Sequence, residues 1–114
     1  MTAQVNITEL LGTPHAVSSA DGGGVHDRIA EALRCGEAVV LSFSGVEDMT
    51  SAFLNAAVGQ LYGEFTEDVI REHLSVIDAE GDQLVLLKRV VDRAKEFFRD
   101  PEPYHAAVSG ALNE

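Results

Sequence analysis

The sequence predicts an α/β fold, a sheet of about four strands with three main helices. Three observations predict it. Short apolar runs near 4–7, 38–43 and 74–77 have the length and composition of strands. The segments between and after them carry apolar residues at helical spacing. The resulting order, β-β-α-β-α-β-α, is that of parallel strand pairs joined by right-handed crossovers.

Residues 4–7 alternate and read as a first strand. Leu10, Leu11 and Gly12 turn the chain, and Pro14 starts a second short extended piece through Val17. The tract Ser18 to Gly24, with three consecutive glycines, reads as a loop. Val25, Ile29 and Leu33 repeat every fourth residue and predict a helix that Gly36 stops. The near-continuous apolar run from Ala38 to Phe43 suits a strand covered on both faces. Leu54, Ala57, Val58, Leu61 and Phe65 share one stripe, so 51–65 reads as one helix. Gly59 and Gly63 weaken it by roughly 1 kcal/mol each relative to Ala, on the flank where a neighbour can approach. Thr66 caps a short helical segment over 67–72, and Leu74 to Ile77 is a further strand. Leu84, Leu87, Val91, Ala94 and Phe98 predict a last helix, ended by Asp100-Pro101. A single domain over 1–100 with a loosely ordered tail over 101–114 is expected.

The formal charge is −11, from 19 acidic and 8 basic side chains. It excludes a duplex nucleic-acid binder, which needs cations to displace counterions, and an electrostatic grip on anionic lipid. Residues 1–87 carry 3 basic and 14 acidic side chains, so the acidity belongs to the body. Lys88, Arg89, Arg93, Lys95 and Arg99 cluster late, and read either as a solvated helix face or as a docking face for an acidic partner or a second copy. The single Cys35 removes a disulfide framework, and it is expected to be a half-buried, unreactive thiol. No apolar run reaches membrane-span length, and the opening MTAQVNITELLG lacks the pattern of a secretory signal, so a soluble cytoplasmic domain is expected.

The segment with most chemistry runs from Val39 to Ala56, VVLSFSGVEDMTSAFLNA. It is a buried strand, a Gly-containing turn and a hydroxyl pair, Thr50-Ser51, at a helix start. Helix starts present unpaired N–H groups and partial positive charge, and partners of open α/β sheets meet the fold beyond strand carboxyl ends. Met49-Thr50-Ser51-Ala52-Phe53-Leu54 resembles the phosphorylation motif of the STAS domain of bacterial anti-sigma-factor antagonists. In that family a loop carries Asp-Ser-Ser/Thr-Gly-Leu, and its first Ser is phosphorylated by a partner kinase of GHKL-type ATPase fold. Ser51 falls at that position. Thr50, Ala52 and Phe53 replace the motif's Asp, second hydroxyl and Gly. The Ser-Phe-Ser-Gly-Val strand end, the Ser-x-Phe helix start and the Ser19–Gly22 tract resemble a divergent branch, the bacterial STAS-like family of unassigned function. That resemblance spans roughly residues 5–95. It implies a STAS-like mixed sheet and a regulatory switch or adaptor whose partner is a GHKL-type ATPase or kinase, or an anti-sigma factor.

The residues themselves leave alternatives. Thr50 and Ser51 are a phospho-switch or simply a helix cap contributing about 1 kcal/mol. Glu47 and Asp48 sit beside them and repel an added phosphate. Asn55 faces a partner or is a solvated first-turn side chain. The triple glycine is a connector or a phosphate cradle, though it lacks a Walker Lys and a dinucleotide spacing. His15, His26, His73 and His105 are too scattered for a metal motif, so no metal or cofactor is expected. No nucleophile stands at a recognised spacing from a base, so the chain reads as non-enzymatic. The expected function is protein–protein interaction at the loop 44–50 and the following helix start. The alternative is a small-ligand sensor that takes a nucleotide at the same place.

Overall fold

A computed structural model describes residues 2–99, with the backbone alone described at Arg99. The expected tail over 101–114, and His105 with it, lies outside the described residues. The order is β1 Thr2–Asn6, α1 Ile7–Leu11, β2 His15–Ala16, α2 Ser19–Arg34, β3 Ala38–Ser42, β4 Asp48–Met49, α3 Ser51–Ala57, a 3-10 helix Gly59–Gly63, α4 Glu67–His73, β5 Leu74–Ile77 and α5 Gly81–Arg99.

The fold is α/β, but its strands divide differently from the expected single mixed sheet of about four. β1, β3 and β5 form a three-stranded parallel sheet with β3 central, and β2 pairs with β4 in a separate parallel pair. Among the described residues there are five α-helices: the three main ones, the short one expected over 67–72, and α1, which was not expected. The extra elements are short and held by local chemistry. Asn6 starts α1 by accepting a 3.0 Å hydrogen bond from the Glu9 N–H, and Gly12, at φ 73°, ends it. β4 forms because the Pro14 carbonyl accepts from the Glu47 N–H at 2.9 Å, which draws the loop against His15–Ala16.

The register sets one face of the sheet inward. Val5 is paired with Leu41, and Leu41 with Val76, while Gln4, Val40 and Ser75 stand together on the other face. Val5, Val39 and Leu41 are buried, whereas Gln4 and Ser75 are exposed and Val40 is partly buried. The central strand is thus fully buried on its inward face and only partly covered on the other, where Val40 is half-buried and Ser42 is buried. Its crossovers step in one direction across the sheet, and right-handed crossovers of that kind put their helices on one side. α2 and α3 accordingly pack on each other, with Val25, Ile29, Phe53, Leu54 and Ala57 fully buried between them and the sheet.

The tract read as a loop is the first two turns of α2. Ser18 caps it by accepting from the Asp21 N–H at 3.1 Å. Glycine has low helix propensity, and tertiary packing overrides it here. A Cβ on Gly22 would fall 2.4 Å from the Phe53 carbonyl oxygen and 2.9 Å from the Ala56 Cβ. Only glycine allows the two backbones this close. At its other end α2 closes as expected: Gly36, at φ 77°, donates to Leu33 O at 3.0 Å, and Glu37 N donates to Ala32 O at 2.9 Å.

The helix expected over 51–65 breaks at Val58 and continues as a 3-10 turn. α5 lies against that turn, and a Cβ on Gly63 would stand 2.6 Å from the Phe98 ring. α5 itself starts earlier than Leu84. The Gln83 side chain accepts from the Glu80 N–H at 2.9 Å, and Leu84 N donates back to Glu80 O at 2.8 Å. Its inward face is also shifted: Val90 and Ala94 are buried, Leu86, Leu87 and Val91 pack on the core, and Leu84 is exposed. His26 on α2 meets Glu64 at 2.8 Å, and Arg34 meets the same carboxylate at 3.1 Å, tying α2 to the end of the 3-10 turn.

The three glycines of α2 therefore have opposite roles, which substitution separates. Gly22→Ala is expected to cost about 1–3 kcal/mol, because a backbone oxygen has to move. Gly23→Ala and Gly24→Ala, where a Cβ meets nothing within 4 Å, are expected to stabilise by about 0.4–1 kcal/mol. Urea unfolding of the three variants checks the sign of each.

Candidate functional site

The carboxyl end of β3 leads into the turn Ser44-Gly45, with Gly45 at φ 81°. Val46 then tucks into the core, and its carbonyl accepts from the Gln83 side chain of α5 at 3.2 Å. Glu47 and Asp48 remain exposed. The Asp48 carboxylate meets His15 Nδ1 at 2.5 Å, with both side chains more than half exposed, so the pair contributes at most about 1 kcal/mol.

The chain next reaches the start of α3. Thr50 N donates to Ala16 O at 3.2 Å. The Thr50 hydroxyl does two things at once: it accepts from the Phe53 N–H at 3.1 Å and donates to the Val17 carbonyl at 2.5 Å. Thr50 is therefore the helix cap, and it also ties α3 to the residue just before the α2 cap. Ser51 occupies the first helical position and is exposed. Of the hydroxyl pair, Thr50 is thus the cap and Ser51 is not. Asn55 is exposed one turn on, and its side-chain oxygen leans over Gly59.

Glu47 and Asp48 also line an open groove of about 650 Å³ between the loop and the start of α5. Glu80, Asp82 and Arg89 line its other wall, with Val85 and Leu86. Thr50, Ser51 and Asn55 stand outside that lining. The five residues singled out by sequence thus divide into a groove wall and a helix start. The α5 wall was missed, since Glu80 and Asp82 fall between the strand expected over 74–77 and the helix expected from Leu84, and the late cations draw attention instead. Its signal in the sequence is the Glu80, Gln83 spacing that starts the helix.

A family model describing a STAS-like domain of unknown function (DUF4325) matches residues 21–84, from the first turn of α2 to the first turn of α5. The chain belongs to this family. No curated protein and no solved structure matches it. The matched span of the STAS-like domain contains β3, the loop and α3, so the candidate site lies inside it.

The other candidates resolve as follows. The glycine tract is no loop, and Gly22 is buried under α3. Cys35, expected half-buried, is exposed at the α2 C-cap, because the helix ends on the surface there. Of the late cations, Lys88 pairs with Asp92 at 3.0 Å, Lys95 lies 3.8 Å from Glu67, Arg89 lines the groove and Arg93 is exposed, while the Arg99 side chain lies outside the described structure. Among the described residues no three His, Cys, Asp or Glu side chains come together to hold a metal. No described helix is long and apolar enough to cross a membrane.

A second hollow, of about 440 Å³, lies between the 3-10 turn and the end of α5, and Tyr62 lines it. Burial raises the Tyr62 pKa above its ordinary value, and Glu67 and Asp92 raise it further. The phenol is thus favoured in its protonated form by folding.

Two outcomes follow from this geometry. Thr50→Ala is expected to lower stability by about 0.5–2 kcal/mol, because it uncaps α3. Ser51→Ala is expected to stay within about 0.5 kcal/mol of the wild type in the same denaturation experiment. For Tyr62, the stabilising term is complete below about pH 10, the unfolded value, and is lost as pH rises through the higher folded value. Unfolding free energies measured through that range should fall more steeply for the wild type than for Tyr62→Phe.

Proposed function

We propose that this STAS-like domain is a non-enzymatic regulatory interaction module, switched by phosphorylation of Ser51 in a bacterial cytoplasm. One observation carries the reading. Thr50 supplies the α3 cap, so the Ser51 hydroxyl is exposed at a helix start without a capping duty. A hydroxyl so placed is open to a kinase, and its loss leaves the fold intact. The partner in this reading is a GHKL-type ATPase or kinase, or an anti-sigma factor, as in the STAS domains that the motif resembles.

The switch is electrostatic. Phosphate adds a charge of about −1.5 to −2 near neutral pH. At Ser51 it meets the partial positive charge of the α3 start, which favours it. Glu47 and Asp48, just before in the chain, oppose it. The net effect is a local rise in negative charge at the edge of the docking loop, which changes the set of partners that bind there.

The small-ligand alternative has less support. A nucleotide brings phosphates to a groove whose walls carry Glu47, Asp48, Glu80 and Asp82, and like charges there repel it.

Incubation with a GHKL-type partner kinase and ATP, followed by peptide mass spectrometry, tests the switch. A single phosphate on Ser51, absent from Ser51→Ala, is the expected outcome. Phosphate on Thr50 or elsewhere contradicts it.

A further inference from the structure

The groove between the loop and α5 has a chemistry of its own. Four carboxylates, Glu47, Asp48, Glu80 and Asp82, line it against a single guanidinium, Arg89. Between them part of the surface is apolar. Val46 forms a buried floor, Leu86 is partly buried, and Val85 is 58% exposed although it is a β-branched aliphatic residue. The walls are fixed rather than loose. The Gln83 amide bridges α5 to the Val46 carbonyl at 3.2 Å, and β4 holds the loop from behind.

We propose that this groove seats a basic amphipathic segment of a partner protein, with one apolar anchor on Val85 and Leu86 and Lys or Arg side chains on either side. Complementarity of charge selects this occupant. Acidic walls attract cations and reject anions, and they raise the association rate of a basic partner. The exposed aliphatic surface supplies what an acidic wall alone lacks, a place to desolvate an anchor. A second copy of the chain is a poor occupant, since each brings a net charge of −11. Two of the cations it offers on α5 are also paired within the chain, Lys88 with Asp92 and Lys95 with Glu67. The inference deepens the reading of the chain as an interaction module, and it stands independently of Ser51 phosphorylation.

The test uses the full chain and a fluorescent synthetic helical peptide of about 14 residues, with Leu on one face flanked by Lys and Arg. A control peptide of the same charge carries Ser in place of Leu. Anisotropy at about 0.15 M salt suppresses non-specific attraction between separated charges. The expected result is binding of the Leu peptide at least about 10-fold tighter than the Ser peptide. Asp82→Lys should weaken it by about 10-fold or more, and Glu31→Lys, an equal charge change on α2, by less than about 2-fold. Glu80→Lys is the second groove variant if Asp82→Lys melts early. Equal loss in the groove and α2 variants, or no preference for the Leu peptide, overturns the proposal. Either result leaves the Ser51 phosphorylation reading standing, because that reading has its own readout.

Discussion

The contact that the rest of this structure depends on is the meeting of two backbones. At Gly22 the first turns of α2 lie so close to α3 that no Cβ fits between them. That approach lets Val25 and Ile29 share one core with Phe53 and Leu54, all fully buried. It also places the starts of two helices side by side, where the Thr50 hydroxyl reaches the Val17 carbonyl. The position and exposure of Ser51 follow from there. The site is thus a consequence of helix packing on one face of a small parallel sheet, and not of a flexible loop.

The same contact explains what the sequence concealed. The strands Leu74–Ile77 and Ala38–Ser42 were legible because apolar and β-branched residues sit together there, with turns on either side of Ala38–Ser42. The helix after Gly24 was legible because Val25, Ile29 and Leu33 repeat at a fixed interval. Its first two turns were not, because three glycines in a row have the composition of a connector. A close helix–helix contact, a tertiary fact, reverses that local preference. The break at Val58 was hidden for a similar reason: the stripe through Leu61 and Phe65 keeps helical spacing, while the backbone winds tighter beneath α5. β2 was legible as part of the short extended piece after Pro14, whereas β4, two residues long, has too little periodicity to register.

The site was half legible. Thr50 and Ser51 stand out as hydroxyls before an apolar stripe, but only the hydrogen bond to Phe53 N assigns the cap to Thr50 and leaves Ser51 exposed. Glu47 and Asp48 were seen as a local excess of charge. Their partners across the groove, Glu80 and Asp82, are more than thirty residues further along the chain, and only the fold brings them opposite. The acidity of the body, from which no nucleic-acid or anionic-lipid partner is expected, on this surface supports the proposed basic partner segment. Two of the late cations, Lys88 and Lys95, are drawn into pairs with Asp92 and Glu67.

If α2 and α3 are locked at Gly22, they open together. Native-state amide hydrogen exchange reads this directly, since local and global opening differ in free energy. The expected result is that the amides of Ile29 and Leu33 in α2, and of Leu54 and Ala57 in α3, exchange with one common opening free energy, equal to that of global unfolding. Exchange of the α3 amides by a much cheaper local opening, with α2 still protected, contradicts a site held by that contact.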